Sequence, residues 1–261
     1  MLHLLKIEWL KLKNYRTFWI LFILFLISLF GINYITFLVQ SNRPQDPMST
    51  ALIGAPFQFP EVWHTVTYMS GFLLFIPGVL MIITISNEFA FKTHRQNVID
   101  GQSRTQFIIT KMMLATIFAV ISTIVVFITA LLFGLFEKDS VFSTTGITYI
   151  LYFFIQAVSY MMVSLLFGLF FRRSGIAIGV YFLYIFLLEN LIAGLLDKYA
   201  NHIGAYLPLK STNSLIPFPF FRNITSQFYY EPNFTILLVL SAVYLTAYII
   251  VGKRKFETVD L

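Results

Sequence analysis

Six stretches of the chain stay apolar for about 20 residues or more, at residues 18–39, 66–86, 107–136, 147–171, 175–196 and 234–252. A helix rises about 1.5 Å per residue, so a stretch of that length crosses a hydrocarbon layer about 30 Å thick. No water reaches the interior of that layer, and each segment must satisfy its own backbone N–H and C=O groups, as a helix does. The sequence therefore predicts an all-α polytopic membrane protein with six transmembrane helices. Composition agrees: 58% of residues are hydrophobic and 11% charged, too few charges to cover a soluble domain. The 30 Phe and 14 Tyr suit lipid and its boundary with water. Cysteine is absent, which excludes disulfides and thiolate metal sites.

Basic residues set the orientation. Lys6, Lys11, Lys13, Arg16, Lys92, Arg95, Arg104, Lys111, Arg172, Arg173, Lys253, Arg254 and Lys255 fall on one side, thirteen in all. Arg43, Lys138, Lys198, Lys210 and Arg222 fall on the other. Both termini are predicted to be cytoplasmic, and the formal +6 charge records topology, so no nucleic-acid partner is expected. Residues 1–16 read "MLHLLKIEWLKLKNYR", with Leu2, Leu5, Trp9 and Leu12 at helical spacing and Lys6, Lys11 and Lys13 on the more polar side. This spacing predicts an amphipathic helix lying in the cytoplasmic interface, its lysines toward anionic headgroups. A basic flank that merely orients the first span is the plainer alternative.

The segment between spans two and three, residues 87–106, reads "NEFAFKTHRQNVIDGQSRTQ". Thr93 and Gln96 stand three apart, as in a capping box, and so do Ser103 and Gln106. Gly101 sits where a short helix over residues 94–100 needs a left-handed terminating residue. The spacing predicts a short cytoplasmic helix, a stop at Gly101, and a new helix from Ser103 that enters the membrane as span three. Glu88 and Arg104, one at each root of the loop, are candidates to pair. His94 beside Arg95 reads as basic surface. A solvated, well-turned loop accounts for the same spacing, and both readings stand at this level.

Glu88 closes span two, Thr93 and Arg95 lie in the short run, Gly101 marks the turn, Ser103-Arg104 follows, and Lys111 enters span three. In this order, and with an amphipathic N-terminus ahead of six spans, the chain resembles the permease subunits of bacterial ABC-2 type exporters. The resemblance implies that the loop is a coupling helix seated on an ATPase, with Arg95 and Asn97 offering polar contacts and Gly101 setting the bend. No G-x-x-x-x-G-K-[ST] occurs in the chain, so nucleotide phosphates are not cradled here. ATP and Mg then belong to a separate cytoplasmic ATP-binding subunit, present in two copies, and this chain is not itself an enzyme and carries no cofactor. A second permease subunit, in a homodimer or heterodimer, completes the expected exporter in the bacterial cytoplasmic membrane. A non-transporting scaffold or accessory subunit of a sensor or secretion assembly is the alternative from another class.

Polar residues inside the spans are few. Asn33, Gln156, Glu189 and Asn190 are candidates for the translocation path or the dimer seam, or else for hydrogen-bonded helix–helix contacts. His3, His64, His94 and His202 fall in flanks or loops and match no hydrolase or metal motif, so no catalytic or metal site is expected. Gly175 and Gly179, in "GIAIG", predict close helix packing, and Pro77-Gly78 predicts a kink in span two. Trp63 reads as an interfacial anchor on the outer side. The apolar centre of the last external segment, residues 215–221, is expected to dip into the outer leaflet or cap the dimer.

Overall fold

A computed structural model describes residues 2–42, 54–99, 101–138, 140–199, 203–220 and 232–257. Arg43, Asp100, His202 and Arg222 lie outside the described residues. The elements are α1 (Leu2–Lys13), α2 (Arg16–Ser41), α3 (Glu61–Gly71), α4 (Phe75–Ala90), α5 (Thr93–Ile99), α6 (Arg104–Phe136), α7 (Thr148–Phe171), α8 (Ser174–Tyr199), α9 (Pro208–Asn213) and α10 (Phe234–Glu257). Five of these helices are long and apolar enough to cross a membrane, and α3 with α4 makes a sixth span if the bent pair counts as one. The helices run past the apolar stretches read from the sequence because intrahelical bonding continues into the headgroup region, where hydropathy no longer marks it. The 33-residue α6 is about 50 Å long at the helical rise, well beyond the hydrocarbon thickness.

The second span breaks by 45° between Gly71 and Phe75, one turn before Pro77. Proline lacks the N–H that would reach the Leu73 carbonyl. The chain answers with tighter bonds just upstream: the N–H of Leu73 donates to Ser70 O at 3.0 Å, Leu74 to Gly71 O at 3.3 Å, and Ile76 to Leu73 O at 3.0 Å. Pro77 itself sits in the first turn of α4, where its missing donor is not needed. Gly78 is required for packing: a Cβ there would lie 2.2 Å from the Tyr181 hydroxyl of α8.

The core centres on α7, which packs against α3, α4, α6, α8 and α10. Phe153, Ala157, Met161 and Leu165 recur every four residues along its buried face. Helix α2 buries only Phe18, Phe25, Leu29 and Asn33, at helical spacing, and leaves Ile20, Ile23, Ile27 and Ile35 exposed to what is lipid in a membrane. The close approach expected at Gly175 and Gly179 is not made among the described residues, where both face open space on α8. Gly168 of α7 takes that role against Ile85.

Two outer-side expectations change. Trp63 is fully buried, donates its indole N–H to Ser143 O at 2.9 Å, and stacks on Phe127. The described part of the last external segment's apolar centre, residues 215–220, folds back onto the bundle, and Phe221 lies outside the described residues. Leu215, Ile216 and Phe220 are buried, and Pro217 O lies 2.7 Å from Nε2 of a buried His64.

Candidate functional site: a buried charge cluster under the cytoplasmic helix

Helix α1 presents Leu5, Glu8 and Leu12 to the protein and leaves Trp9 and Leu10 exposed. Lys11 does not point toward headgroups as expected. Its Nζ donates to Glu88 Oε1 at 2.9 Å and to Glu8 Oε1 at 3.2 Å, one helical turn back. Lys111, on the second turn of α6, is fully buried and donates to Glu8 Oε2 at 2.5 Å and to Glu88 Oε1 at 2.7 Å. Two carboxylates and two ammonium groups thus close a neutral ring joining α1, α4 and α6. Neutrality matters, because an uncompensated charge in such a site costs several kcal/mol. Burial alone would lower the Lys11 pKa, but Glu8 and Glu88 outweigh it and raise it above the ordinary lysine value. Glu88 also sits at the C-terminal end of α4, where the helix dipole disfavours an anion; the two lysines answer that as well.

Glu88 organises the short helix too. The Thr93 hydroxyl donates to its carboxylate, and His94 Nδ1 lies 2.7 Å from its backbone oxygen. His94 is buried against Phe89, 4.8 Å between ring centroids, and is not the basic surface residue that its neighbour suggested. Thr93 is the first residue of α5 rather than the residue before it, and its hydroxyl fastens α5 to α4. Lys92 makes the sharp entry to α5 with a left-handed backbone, φ 56°. Past α5, Gly101 is left-handed at φ 94°. Ser103 and Gln106 form the reciprocal cap of α6: Ser103 N–H donates to Gln106 Oε1 at 3.0 Å and Gln106 N–H to Ser103 Oγ at 3.2 Å.

The pairing expected between Glu88 and Arg104 is absent, since Lys11 and Lys111 engage Glu88. Arg104 Nη1 donates instead to Glu257 O at 2.7 Å, and Phe107 stacks on Phe256, tying the end of α10 to the root of α6. Arg95 is exposed, and Asn97, half-buried, accepts the Gln102 N–H on its backbone oxygen at 3.0 Å.

On the outer side, Gln156, Glu189 and Asn190 line one cavity of about 360 Å³ between α3, α4, α7, α8 and α9. Glu189 follows a π-helical segment of α8, Leu183–Leu188, and its Oε1 accepts the N–H groups of Leu209 and Lys210 at 2.6 and 3.1 Å. Gln156 Nε2 donates to Asn213 Oδ1 at 2.8 Å. Asn33 does not join them: it donates to Leu29 O and to Ser70 Oγ, fastening α2 to α3.

Sequence reasoning missed Glu8 as a site residue. The available signal was a lone acid in a basic helix, three residues before a lysine.

A bundle of apolar helices with a short helix clamped at the mouth of two spans defines a multi-pass membrane protein. The family described as ABC-2 family transporter protein matches residues 4–188, and the chain belongs to it. It is thus the membrane component of an ABC transporter. The matched region holds the whole charge cluster and stops one residue short of Glu189. No curated protein matches the chain.

Proposed function

We propose that this chain is the permease subunit of an ATP-driven exporter of the bacterial cytoplasmic membrane, and that α5 carries the coupling to a separate ATPase subunit. The observation that supports this most is the buried ring of Glu8, Lys11, Glu88 and Lys111. It fixes α4, α6 and α1 as one cytoplasmic unit, and Thr93 hangs α5 from it. A push on α5 is then passed to two spans rather than dissipated in a loose loop. The exposed Arg95 offers the partner a charge, and Gly101 sets the return angle. Two such chains, or this chain and a related one, with two ATPases form the working exporter, and the outer cavity at Gln156, Glu189 and Asn190 lies on the path of the exported molecule.

Charge reversal tests the coupling role. Arg95→Glu is expected to lower recovery of the ATPase subunit in a pull-down about tenfold, or ~1.4 kcal/mol. Gly101→Val should do so through the backbone alone, because a Cβ there meets open space while a β-branched residue resists positive φ. Wild-type ATPase recovery and transport in both variants would rule the role out and favour a scaffold.

A further inference from the structure

A second cytoplasmic feature lies on the other flank of α5. A cavity of about 550 Å³ opens between the end of α4, the start of α5 and the turn joining α7 to α8. Lys92, Arg95, Arg172 and Arg173 line it, together with Ser174 and Gly175 of the first turn of α8. None of its lining residues is an acid, and among the described residues no carboxylate lies within ion-pair distance of these four cations. Glu88, the nearest acid in sequence to Lys92, is committed to the buried ring on Lys11 and Lys111. Arg172 is held in place by the Phe89 ring, 5.7 Å from its centroid. The N-cap of α8, Arg173, makes no side-chain cap, so the first-turn N–H groups of a 26-residue helix add positive potential at the same wall. Four cations line one cavity with no anion among the described residues to offset them; they repel one another, and a bound anion relieves that.

The location selects the anion. The cavity sits where α4, α7 and α8 leave the membrane, and exposed apolar residues adjoin its lining in the chain: Phe91 (74%) stands between Ala90 and Lys92, and Ile176 (49%) follows Gly175. A free phosphate uses only the basic wall, whereas a lipid uses that wall for its headgroup and the apolar border for its chains. Basic pockets between spans on the cytoplasmic side suit acidic phospholipid headgroups. We propose that this cavity is a binding site for the phosphate headgroup of an anionic phospholipid of the inner leaflet. Occupancy ties α5 to the α7–α8 turn and so makes the position of α5 sensitive to lipid. The site stands independently of any role of α5 on an ATPase.

The test is native mass spectrometry of the detergent-purified full chain, titrated with dioleoyl phosphatidylglycerol, with dioleoyl phosphatidylcholine, or with inorganic phosphate. One saturable phosphatidylglycerol adduct per chain is expected, without retention of phosphatidylcholine. Arg173→Gln, at an extended residue with no backbone demand, should weaken it about fivefold. Lys92→Gly should weaken it similarly while relieving the left-handed backbone, so its loss of binding is not a folding failure. Lys253→Gln, the same charge change elsewhere on the cytoplasmic side, should leave binding intact. Equal weakening in all three variants, or no preference for phosphatidylglycerol, would overturn the proposal. Retention of inorganic phosphate alone would do the same. So would an Arg173→Gln protein that loses the ATPase subunit but keeps phosphatidylglycerol, because the cavity would then belong to the protein partner.

Discussion

Lys111 and Lys11 touch the same two carboxylates but stand in different media. The Lys111 side chain has no exposure, while that of Lys11 is 37% exposed. Water therefore screens one ion pair and not the other. Removing Lys111 strands Glu8 and Glu88 in a dry site with a single, half-solvated counter-ion, whereas removing Lys11 leaves the buried pairs intact. Lys111→Met is expected to lower stability in detergent by about 3–5 kcal/mol, and Lys11→Met by less, about 1–3 kcal/mol, because both carboxylates keep Lys111 while one excess negative charge remains beside the solvent-facing edge. Denaturant unfolding followed by tryptophan fluorescence measures both, and equal losses would refute burial as the deciding factor. The cluster was half legible in the sequence. Glu88 stood out as the charge at one root of the loop and Lys111 as the lysine entering span three, yet Arg104, at the other root, was the obvious partner for Glu88 by symmetry of position. Which cation reaches Glu88 is decided by α1, whose return to this site no local pattern announces. His94 misled for a similar reason: beside Arg95 it reads as surface, but the turn at Lys92 swings it inward.

Helices were legible because each is written in its own residues, and their irregularities were less so because partners write them. Apolar runs marked the spans to within a few residues, and Ser103 with Gln106 announced the start of α6 through a bond between neighbours. The bend of the second span was legible from Pro77, though it falls one turn earlier, where the proline's missing bond should have ended. By contrast, Glu189 gave no hint that it would cap α9, twenty residues on. The π-helical turn before it adds a residue per turn and so rotates the carboxylate toward Leu209. A cap of this kind is worth about 1–2 kcal/mol, comparable to a side-chain N-cap. Glu189→Leu should free α9 and speed tryptic cleavage after Lys210 about tenfold, as a local opening eased by ~1.4 kcal/mol requires. Glu189→Gln keeps an acceptor at the same place and should stay near the wild-type rate. Wild-type protection in the leucine variant would show that α9 is held by packing alone.

Across the whole molecule the two ends differ in chemistry, and the difference fixes how it sits in a membrane. One end gathers the basic residues: Lys111 with α1, Lys92 with Arg172 and Arg173 around one cavity, and Arg104 with the end of α10. The opposite end has contacts that use no lysine or arginine side chain, such as Gln58 to Lys138 O, the Tyr244 hydroxyl to Tyr206 O and Gly204 N–H to Asp197 Oδ1. Lysine and arginine are retained on the cytoplasmic side during insertion, so the basic end faces the cytoplasm. That orientation is also the one that the proposed coupling through α5 and the proposed lipid site both require; reversing it removes both. Since the chain has no cysteine, single cysteines report on each end cleanly. Val141 and Tyr199 are exposed at the outer end, 81% and 75%, and Ile99 at the basic end, 77%. Ser211, a small polar residue that sequence alone would nominate, is fully buried and unsuitable. In intact cells, Val141→Cys and Tyr199→Cys should react with an impermeant maleimide, and Ile99→Cys only after permeabilisation. Labelling of Ile99→Cys in intact cells, with Val141→Cys protected, would invert the molecule and remove the physical basis for coupling through α5.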